Sequence, residues 1–392
     1  MCKLADAKEP IDVVTVSEKL ETDGELASIG GSGYLSTLGN DTPTAVHVAQ
    51  YGRIVERKAV LRRMIGAAGG IAAIGYEDGS DVDDAIDRAE KIFAKAKTRA
   101  MLNRKAPDPS SIIARMENVQ LKAIPTRWPS LNNFAMGYMP GQLWVAGGFT
   151  STGKSALAVN AVEDVIKAGG VAMVASTEMT QEQYLLRLVS LSSGVPQRVL
   201  RRGGMTLEQG VAYRNAVDFW KAQKLRVYDD LYNLQRIYRM AKLTKEQLGG
   251  LDLLVVDFIQ NLNESGDEVK EMNKNALTLQ AYAKELDCTV LALSQVSNAQ
   301  AMMQSESGVG NYFAFKGAGS IAHAADVAIM LDRDKTNAPD VLWIHVVKNR
   351  HDEMGKIACH FDLPTGSIRQ MTPEDAIAAD PNSGRRSKQK DH

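Results

Sequence analysis

The spacing of apolar residues divides the chain into two parts with different secondary structure. From about Val13 to Arg99 the spacing is helical, with one apolar stripe between Tyr51 and Ile65 and a second between Ile86 and Phe93. Glycines interrupt the earlier part and predict a break there: Gly30, Gly31, Gly33 and Gly39. We therefore predict a small all-helical domain in the N-terminal part of the chain.

After about Pro125, short apolar runs alternate with helix-like stretches. This alternation predicts an α/β domain with a mostly parallel central sheet. The helical spacing is clearest between Met272 and Leu286, where apolar residues recur every three or four positions. The predicted strands are Leu143–Ala146, Val171–Ala175, Leu225–Tyr228, Leu253–Val256, Val290–Leu293, Val327–Leu331 and Leu342–Val347.

The two parts are joined by a segment with the composition of a linker. Two prolines and several polar residues lie between Lys105 and Ser110. The apolar residues from Ile112 to Val119 then predict a short amphipathic helix that would bury its apolar side on another subunit. We divide the chain into a helical domain at 1–104, a linker at 105–124, an α/β domain at 125–372 and a disordered tail at 373–392.

The most specific chemical signal is the run GGFTSTGKS at residues 147–155, which contains a complete G-x-x-x-x-G-K-S phosphate loop. It lies between the first predicted strand and a helix-like run, where backbone N–H groups and a helix N-terminus bind phosphate. Lys154 would reach the β- and γ-phosphates of a bound nucleotide, and Ser155 would bind Mg²⁺. The predicted nucleotide-binding residues are Gly148, Thr150, Ser151, Thr152, Gly153, Lys154, Ser155 and Ala156.

Acidic residues follow two other predicted strands. Asp257 ends the strand Leu253–Val256, and Glu178 follows the strand Val171–Ala175 by three residues. Because parallel strands end at one edge of a sheet, both carboxylates are expected near the phosphate loop. Asp257 would hold Mg²⁺, and Glu178 would activate the attacking water. The alternatives are ordinary capping by Asp257 and a helix-dipole role for Glu178.

Three further features are candidates for contacts with phosphate or DNA. Gln295, after the strand Val290–Leu293, could contact the γ-phosphate, although a polar residue at a strand end is usually structural. Lys348 and Arg350 could reach a nucleotide on a neighbouring subunit, or form an exposed turn pair. Residues 296–319 have little periodicity and carry aromatics, glycines and Lys316, which suits single-stranded DNA or a surface loop with buried aromatics.

Composition narrows the classes of protein. The 46 Lys and Arg residues balance 47 Asp and Glu residues, so a polyanion would have to be bound by a local group of cations. The scattered Cys2, Cys288 and Cys359 fit neither a disulfide framework nor a C-x-x-C metal site. The chain begins without a signal-peptide pattern and has no apolar run of about 18 residues. We expect a cytoplasmic protein with no membrane partner.

These motifs, in this order, resemble the DnaB-type replicative DNA helicases, which are hexameric RecA-like ATPases. The N-terminal part contributes the segments Pro10–Val16, Tyr34–Leu35 after the glycines, and Tyr51–Arg63. The α/β part contributes Ile124–Thr126, Pro140–Leu143, GGFTSTGKS, STEM at Ser176–Met179, VVDFIQ at Val255–Gln260, LALSQVS at Leu291–Ser297, GAGSI at Gly317–Ile321, Ala325–Val327 and KNR at Lys348–Arg350.

The resemblance implies a homohexamer that encircles single-stranded DNA and moves 5′ to 3′ as ATP·Mg²⁺ is hydrolysed between subunits. It assigns catalysis to Glu178, Lys154, Asp257 and Gln295, with Lys348 and Arg350 acting in trans. It assigns metal binding to Ser155 and Asp257, and DNA binding to Lys316, Gly317 and Gly319. A primase and a helicase loader are the implied protein partners.

The sequence departs from the family in ways that keep other functions open. The N-terminal domain looks shortened, which suits a phage-encoded protein acting in a host cytoplasm. The segment after Ser320 and the loop 298–310 also lack several expected charged residues. One alternative is a RecA-like recombination or repair ATPase that does not unwind DNA. Another is a truncated, non-catalytic subunit that regulates a helicase, against which the complete set of catalytic residues argues.

Overall fold

The computed structural model describes residues 10–41, 48–77, 81–101, 108–110, 113, 123–262, 268–295, 324–350 and 353–380. The chain forms two compact units, Met1–Pro109 and Ser110–His392. The described part of the first unit is helical, and the second unit contains a sheet with helices, as the apolar spacing predicts. Within these ranges, no helix has both the length and the apolar character needed to cross a bilayer.

The helices of the first unit are α1 (Val13–Thr22), α2 (Gly31–Asp41), α3 (Val48–Gly75) and α4 (Val82–Met101). The predicted break is present between Thr22 and Gly31 and includes Gly30, but the prediction is wrong for Gly33 and Gly39, which lie inside α2. A glycine lowers helix stability by about 1 kcal/mol but does not end a helix that has other support. At Gly39 the missing side chain is useful, since a Cβ there would lie 3.2 Å from Val13 on α1.

The two predicted apolar stripes lie on α3 and α4, which pack side by side. Their contact includes Gly70 opposite Ile92, and the Arg88–Glu77 ion pair of 2.6 Å joins α4 to the end of α3. Many stripe residues are nevertheless exposed, with Ile65 at 71% and Phe93 at 50%. The periodicity therefore predicts the helices correctly, but within this unit it does not predict a buried core.

The second unit is built on a nine-stranded sheet with the order β3-β2-β4-β5-β1-β6-β7-β8-β9. Neighbouring strands from β3 to β6 are parallel, and β7 to β9 continue the sheet in antiparallel fashion. This confirms the mostly parallel sheet. The strands are β1 (Leu143–Gly148), β2 (Ala172–Ser176), β3 (Leu225–Tyr228), β4 (Leu253–Asp257), β5 (Thr289–Gln295), β6 (Val327–Asp332), β7 (Val341–Asn349), β8 (Gly355–Asp362) and β9 (Ser367–Gln370).

Helices cover both faces of this sheet, and each face has its own apolar core. Burying each large apolar side chain stabilises the fold by roughly 1.5–3 kcal/mol, which is why the central strands are continuous apolar runs. The helices are α5 (Pro129–Ala135), α6 (Lys154–Lys167), α7 (Gln181–Ser193), α8 (Gln197–Arg202), α9 (Leu207–Lys221), α10 (Leu234–Leu248), α11 (Glu268–Leu286) and α12 (Pro373–Ala379), with a 3₁₀ turn at Ile259–Leu262.

All seven predicted strands are present, with ends that differ by at most two residues. The sequence analysis missed β8, in which the longest run of buried residues is only three, and β9, which has only four residues. It also placed residues 373–379 in a disordered tail, whereas they form α12, which begins with Thr372 capping the Asp375 amide. Residues 381–392, the rest of that predicted tail, lie outside the described residues.

Candidate active site

Strand register brings four of the predicted site segments to one edge of the sheet. Gly148 on β1 pairs with Gln295 on β5, and Asp257 on β4 pairs with Ser176 on β2. Since β2, β4, β5 and β1 are parallel neighbours, their carboxyl ends lie side by side. The phosphate loop, Glu178, Asp257 and Gln295 therefore meet, although they come from four separate segments of the sequence.

The phosphate loop is a compact turn held by its own backbone and by one hydroxyl. Thr152 donates its backbone N–H and its hydroxyl to the Phe149 carbonyl, at 3.2 and 2.8 Å. Gly148 has to be a glycine, because a Cβ would lie 2.6 Å from the Thr152 hydroxyl. Gly153 has φ 117°, in the region that favours glycine, and is the N-cap of α6. This geometry leaves the N-terminus of α6 open toward phosphate.

Lys154 lies inside the loop and contacts its carbonyl groups. Its Nζ donates to the carbonyl oxygens of Gly148 and Phe149, at 2.8 and 2.9 Å. Burial lowers the pKa of Lys154, and the carboxylates of Asp257 and Glu178 partly oppose that shift. The ammonium group therefore lies between the loop and both carboxylates, where a bound triphosphate would place its β- and γ-phosphates.

Asp257 is a buried carboxylate with unused acceptor capacity. Neither oxygen accepts a hydrogen bond of good geometry from the described residues. Burial raises its pKa to about 6, while the nearby Ser155 hydroxyl lowers it and Glu178 raises it further. A buried, unpaired carboxylate beside a hydroxyl matches the donor set of a Mg²⁺ site completed by phosphate oxygens. The residues present therefore fit the predicted magnesium site.

Glu178 is held in place through its neighbour Thr177. The Thr177 backbone N–H donates to the Asp257 carbonyl at 2.6 Å, and its hydroxyl accepts the Phe258 N–H at 3.0 Å. These bonds fix the end of β2 against the end of β4. Glu178 is exposed and lies in the wall of the cleft, where a catalytic base can meet water.

Gln295 also lines the cleft, with its side chain exposed at the last position of β5. Its backbone is fixed by Gln260, whose Nε2 donates to the Gln295 carbonyl at 3.0 Å and to the Ser294 hydroxyl at 2.9 Å. The side-chain amide is thus presented next to the phosphate loop from a fixed strand end. That is the position required of a γ-phosphate contact.

The cleft at this edge has a volume of about 370 Å³. Several of its lining residues were missed by the sequence analysis. Arg187, on α7, faces Asp257 closely enough to lower the pKa of that carboxyl. No local motif marks it, because only the path of α7 brings it to the site. The other missed lining residues are Gln197, Phe258, Arg333, Phe361, Leu363 and Gly366.

Arg333 follows β6, which is parallel to β1, so its place at the strand end is a signal that could have identified it. Its guanidinium lies 5.1 Å from the centre of the Phe361 ring and donates to the Ser151 carbonyl at 2.6 Å. Lys335 donates to the neighbouring Thr150 carbonyl at 2.6 Å. The segment after β6 therefore supports the outer side of the phosphate loop, and the Arg333–Phe361 pair offers flat surfaces to a nucleotide base.

Lys348 and Arg350 lie at the opposite edge of the sheet. Strand β7 is antiparallel to β6, so Arg350 is level with the start of β1, where its backbone N–H donates to Asp326. Its guanidinium forms a 2.7 Å ion pair with the Asp326 carboxylate. From Leu143, at the start of β1, to Gly148 is five residue steps, which corresponds to about 17 Å along the strand. The structure does not bring this pair to the chain's own phosphate loop.

The remaining predicted residues cannot be placed. Lys316, Gly317 and Gly319, predicted to bind DNA, lie outside the described residues, as does most of the predicted linker helix. Their roles stay predictions.

The fold and the cleft define a P-loop ATPase with a RecA-like core, in which a parallel sheet presents a phosphate loop, two acids and a glutamine at one edge. The DnaB-like helicase C-terminal domain family matches residues 123–369, and the DnaB-like helicase N-terminal domain family matches residues 1–57. The chain belongs to the DnaB-like replicative helicases, a family of ATP-dependent enzymes. The resemblance noted from the motifs is confirmed.

Individual relatives agree with this assignment. The replicative DNA helicase DnaB of Geobacillus stearothermophilus is 28% identical over 380 residues, which is 92% of this chain and 83% of the relative. The replicative DNA helicase DnaC of Bacillus subtilis (strain 168) is 27% identical, with the same coverage of both chains.

Two solved structures share the fold. A DnaB-like replicative helicase, studied with its interactions with primase, superposes with a TM-score of 0.76 at 18% identity and covers 94% of this chain and 90% of that one. A separately solved ATPase domain has a TM-score of 0.60 at 18% identity, covering 67% of this chain and 97% of that one.

Proposed function

We propose that this chain is an ATP-dependent DNA helicase that forms a homohexameric ring, encircles single-stranded DNA and moves 5′ to 3′ during DNA replication. The observation that carries the proposal is the division of the site between two edges of the sheet. The phosphate loop, Glu178 and Asp257 share one edge, whereas Arg350 lies about 17 Å and Lys348 about 10 Å away along the strands. A neighbour in a ring supplies these cations to the first subunit's cleft.

Each residue has a defined task in this proposal. Lys154 and the loop amides bind the phosphates of ATP, and Gln295 senses the γ-phosphate. Glu178 orients the attacking water and accepts its proton. Ser155 and Asp257 hold Mg²⁺, which neutralises charge on the phosphates when it is bound. Lys348 and Arg350 of one subunit stabilise the charge that develops on the phosphates bound by the next.

The contacts with DNA and partner proteins are proposed from the sequence. Lys316, Gly317 and Gly319 would follow the DNA backbone, and the helix within the linker 105–124 would dock on the neighbouring subunit. Primase and a helicase loader are the proposed protein partners. The similar structure studied with primase supports the first of these.

Strand displacement tests the proposal. A forked DNA with a 5′ single-stranded tail is incubated with the full chain, ATP and Mg²⁺, beside a 3′-tailed control fork and the Lys154→Ala variant. We expect unwinding of the 5′-tailed fork alone, and none by the variant. DNA-stimulated ATP hydrolysis without unwinding would instead favour a RecA-like recombination ATPase, and the absence of hydrolysis would favour a non-catalytic subunit.

A further inference from the structure

Arg127 joins the first residues of the ATPase core to the helix that follows the phosphate loop. Its Nε donates to Asp164 at 2.7 Å, and its Nη2 donates to Glu163 at 2.7 Å. Its Nη1 donates to the Asn160 side-chain oxygen at 2.6 Å. All three partners lie on α6. One guanidinium therefore binds the segment entering this unit to two successive turns of the phosphate-loop helix.

Asn160 extends this connection to the nucleotide cleft. Its side chain is fully buried, and its Nδ2 donates to the carbonyls of Ala156 and Gly366, at 2.7 and 2.8 Å. Its Oδ1, which accepts the hydrogen bond from Arg127 Nη1, also accepts one from the Ile368 backbone N–H at 3.1 Å. Gly366 lies in the turn between β8 and β9 and lines the cleft. Arg127 is thus one side chain away from a wall of the nucleotide site.

A second chain of hydrogen bonds from Arg127 leads through Glu163 to α7. Glu163 accepts the Ser192 hydroxyl at 2.6 Å, and Ser192 accepts the Trp220 indole N–H at 3.0 Å. The helix α7 ends next to Ser192, begins three residues after Glu178 and carries Arg187 in its middle. The hydrogen bonds of Arg127 therefore connect three elements that line the cleft, namely α6, α7 and the β8–β9 turn.

The charges in this cluster are strongly coupled. The side chains of Glu163 and Asp164 are 3% and 8% exposed, and Arg127 is 18% exposed. Burial lowers the pKa of Arg127, but Asp164 and Glu163 outweigh it, so the pKa is raised overall. A buried ion pair often contributes little net stability, while its geometry holds the connected elements in one arrangement.

We propose that Arg127 is a positioning residue for the nucleotide site. It sets ATP affinity by holding the β8–β9 turn and the phosphate-loop helix in fixed positions relative to the segment that enters this unit. This inference rests on the proposed ATPase function of the cleft. None of the residues that Arg127 contacts on α6 is assigned to phosphate chemistry. Loss of Arg127 therefore weakens ATP binding and leaves the rate of ATP hydrolysis by the bound enzyme unchanged.

The test compares the full-length wild type with Arg127→Lys, which keeps the positive charge but loses the planar fork. KM for ATP, kcat and the equilibrium affinity for a fluorescent non-hydrolysable ATP analogue are measured. We expect KM and the analogue Kd to rise about fivefold or more, with kcat within about twofold of wild type. The control is Ile237→Ala, a buried residue in the core on the other face of the sheet, which lowers Tm but leaves both affinities unchanged.

A second variant tests the route through the turn. Asn160→Asp keeps the acceptor for Arg127 and Ile368 but replaces the donor to the Gly366 carbonyl with a repulsive oxygen. We expect the same rise in KM, and this variant carries the test if Arg127→Lys does not fold.

An unchanged KM and Kd in Arg127→Lys, with a lowered Tm like that of Ile237→Ala, would reduce Arg127 to a structural role. If KM rises in Arg127→Lys but not in Asn160→Asp, then Arg127 does not act through Asn160 and the β8–β9 turn. A wild-type chain that binds the analogue but does not hydrolyse ATP contradicts the proposed function, whereas the analogue Kd still tests Arg127.

Discussion

Mixing two inactive variants tests whether Arg350 acts on a neighbouring subunit. Arg350→Ala should bind nucleotide normally but lose about a thousandfold or more in kcat, the usual contribution of an arginine that reaches a phosphate in trans. Lys154→Ala should be inactive because its own cleft no longer holds the phosphates. Without the Arg350 side chain, the Asp326 carboxylate still accepts a 2.9 Å hydrogen bond from the Leu143 backbone N–H. Arg350→Ala is therefore expected to fold.

The expected recovery follows from the geometry. Arg350 is level with the start of β1, about 17 Å along the strand from Gly148, and an arginine side chain spans less than half of that distance. An interface is active when an Arg350→Ala subunit provides the cleft and a Lys154→Ala subunit provides the arginine. In rings assembled from equal amounts, this applies to about one quarter of the interfaces, the product of two probabilities of about one half.

The two variants are co-expressed with different affinity tags, and mixed rings are isolated by two successive purifications. ATP hydrolysis by these rings should rise well above that of either variant, up to about one quarter of the wild-type rate. The control is rings that mix wild-type subunits with the double variant Lys154→Ala/Arg350→Ala. They show how mixing with inactive subunits by itself changes the rate of ATP hydrolysis. Verified mixed rings that stay as inactive as their parents would refute the trans assignment.

Other predictions concern the carboxylates and one tight turn. Glu178→Gln should bind ATP but hydrolyse it at least about a hundredfold more slowly, and unchanged turnover would exclude Glu178 as the base. Because burial raises the pKa of Asp257 from 3.8 to about 6, the protonated carboxyl favours the fold, and the free energy of unfolding without metal should fall by up to about 3 kcal/mol as pH rises through this window. Mg²⁺ competes with the same proton, so Mg·nucleotide affinity should weaken below about pH 6 more steeply in wild type than in Asp257→Asn, in which only the protonation of the phosphates remains; titration calorimetry across this range measures it, and the same pH dependence in both proteins would contradict the assignment. Gly137→Ala should unfold at a clearly lower denaturant concentration than Gly141→Ala: both positions have positive φ, but only at Gly137 does a Cβ clash with the Ile124 carbonyl, so equal midpoints would refute the clash.

The residues that meet at the carboxyl edge of the sheet could be selected from the sequence because their signals are local. The phosphate loop needs glycines, a lysine and a hydroxyl at fixed spacing, and the acids follow apolar strands that can be recognised by composition. Gln295 and Glu178 were found in the same way, as polar residues after a strand. These assignments needed only one assumption about the fold, that parallel strands end at a common edge.

Residues whose importance depends on long-range packing were missed. Arg187 reaches the site from the second turn of α7, and Phe361 from the strand β8, whose pattern was too weak to predict. Arg127 carries no local signal, because its partners on α6 are more than thirty residues away in sequence. No local pattern encodes such a contact.

By itself, the sequence determined the class of fold, the phosphate loop and the candidate residues for the chemistry, because periodicity and spacing are properties of short segments. The tertiary structure alone decided which groups meet. Strand order and register bring Glu178, Asp257 and Gln295 to one edge, and the antiparallel direction of β7 carries Arg350 to the other. The physical reason is that backbone pairing in the sheet fixes the distances between segments, and those distances separate Arg350 from the chain's own phosphate loop.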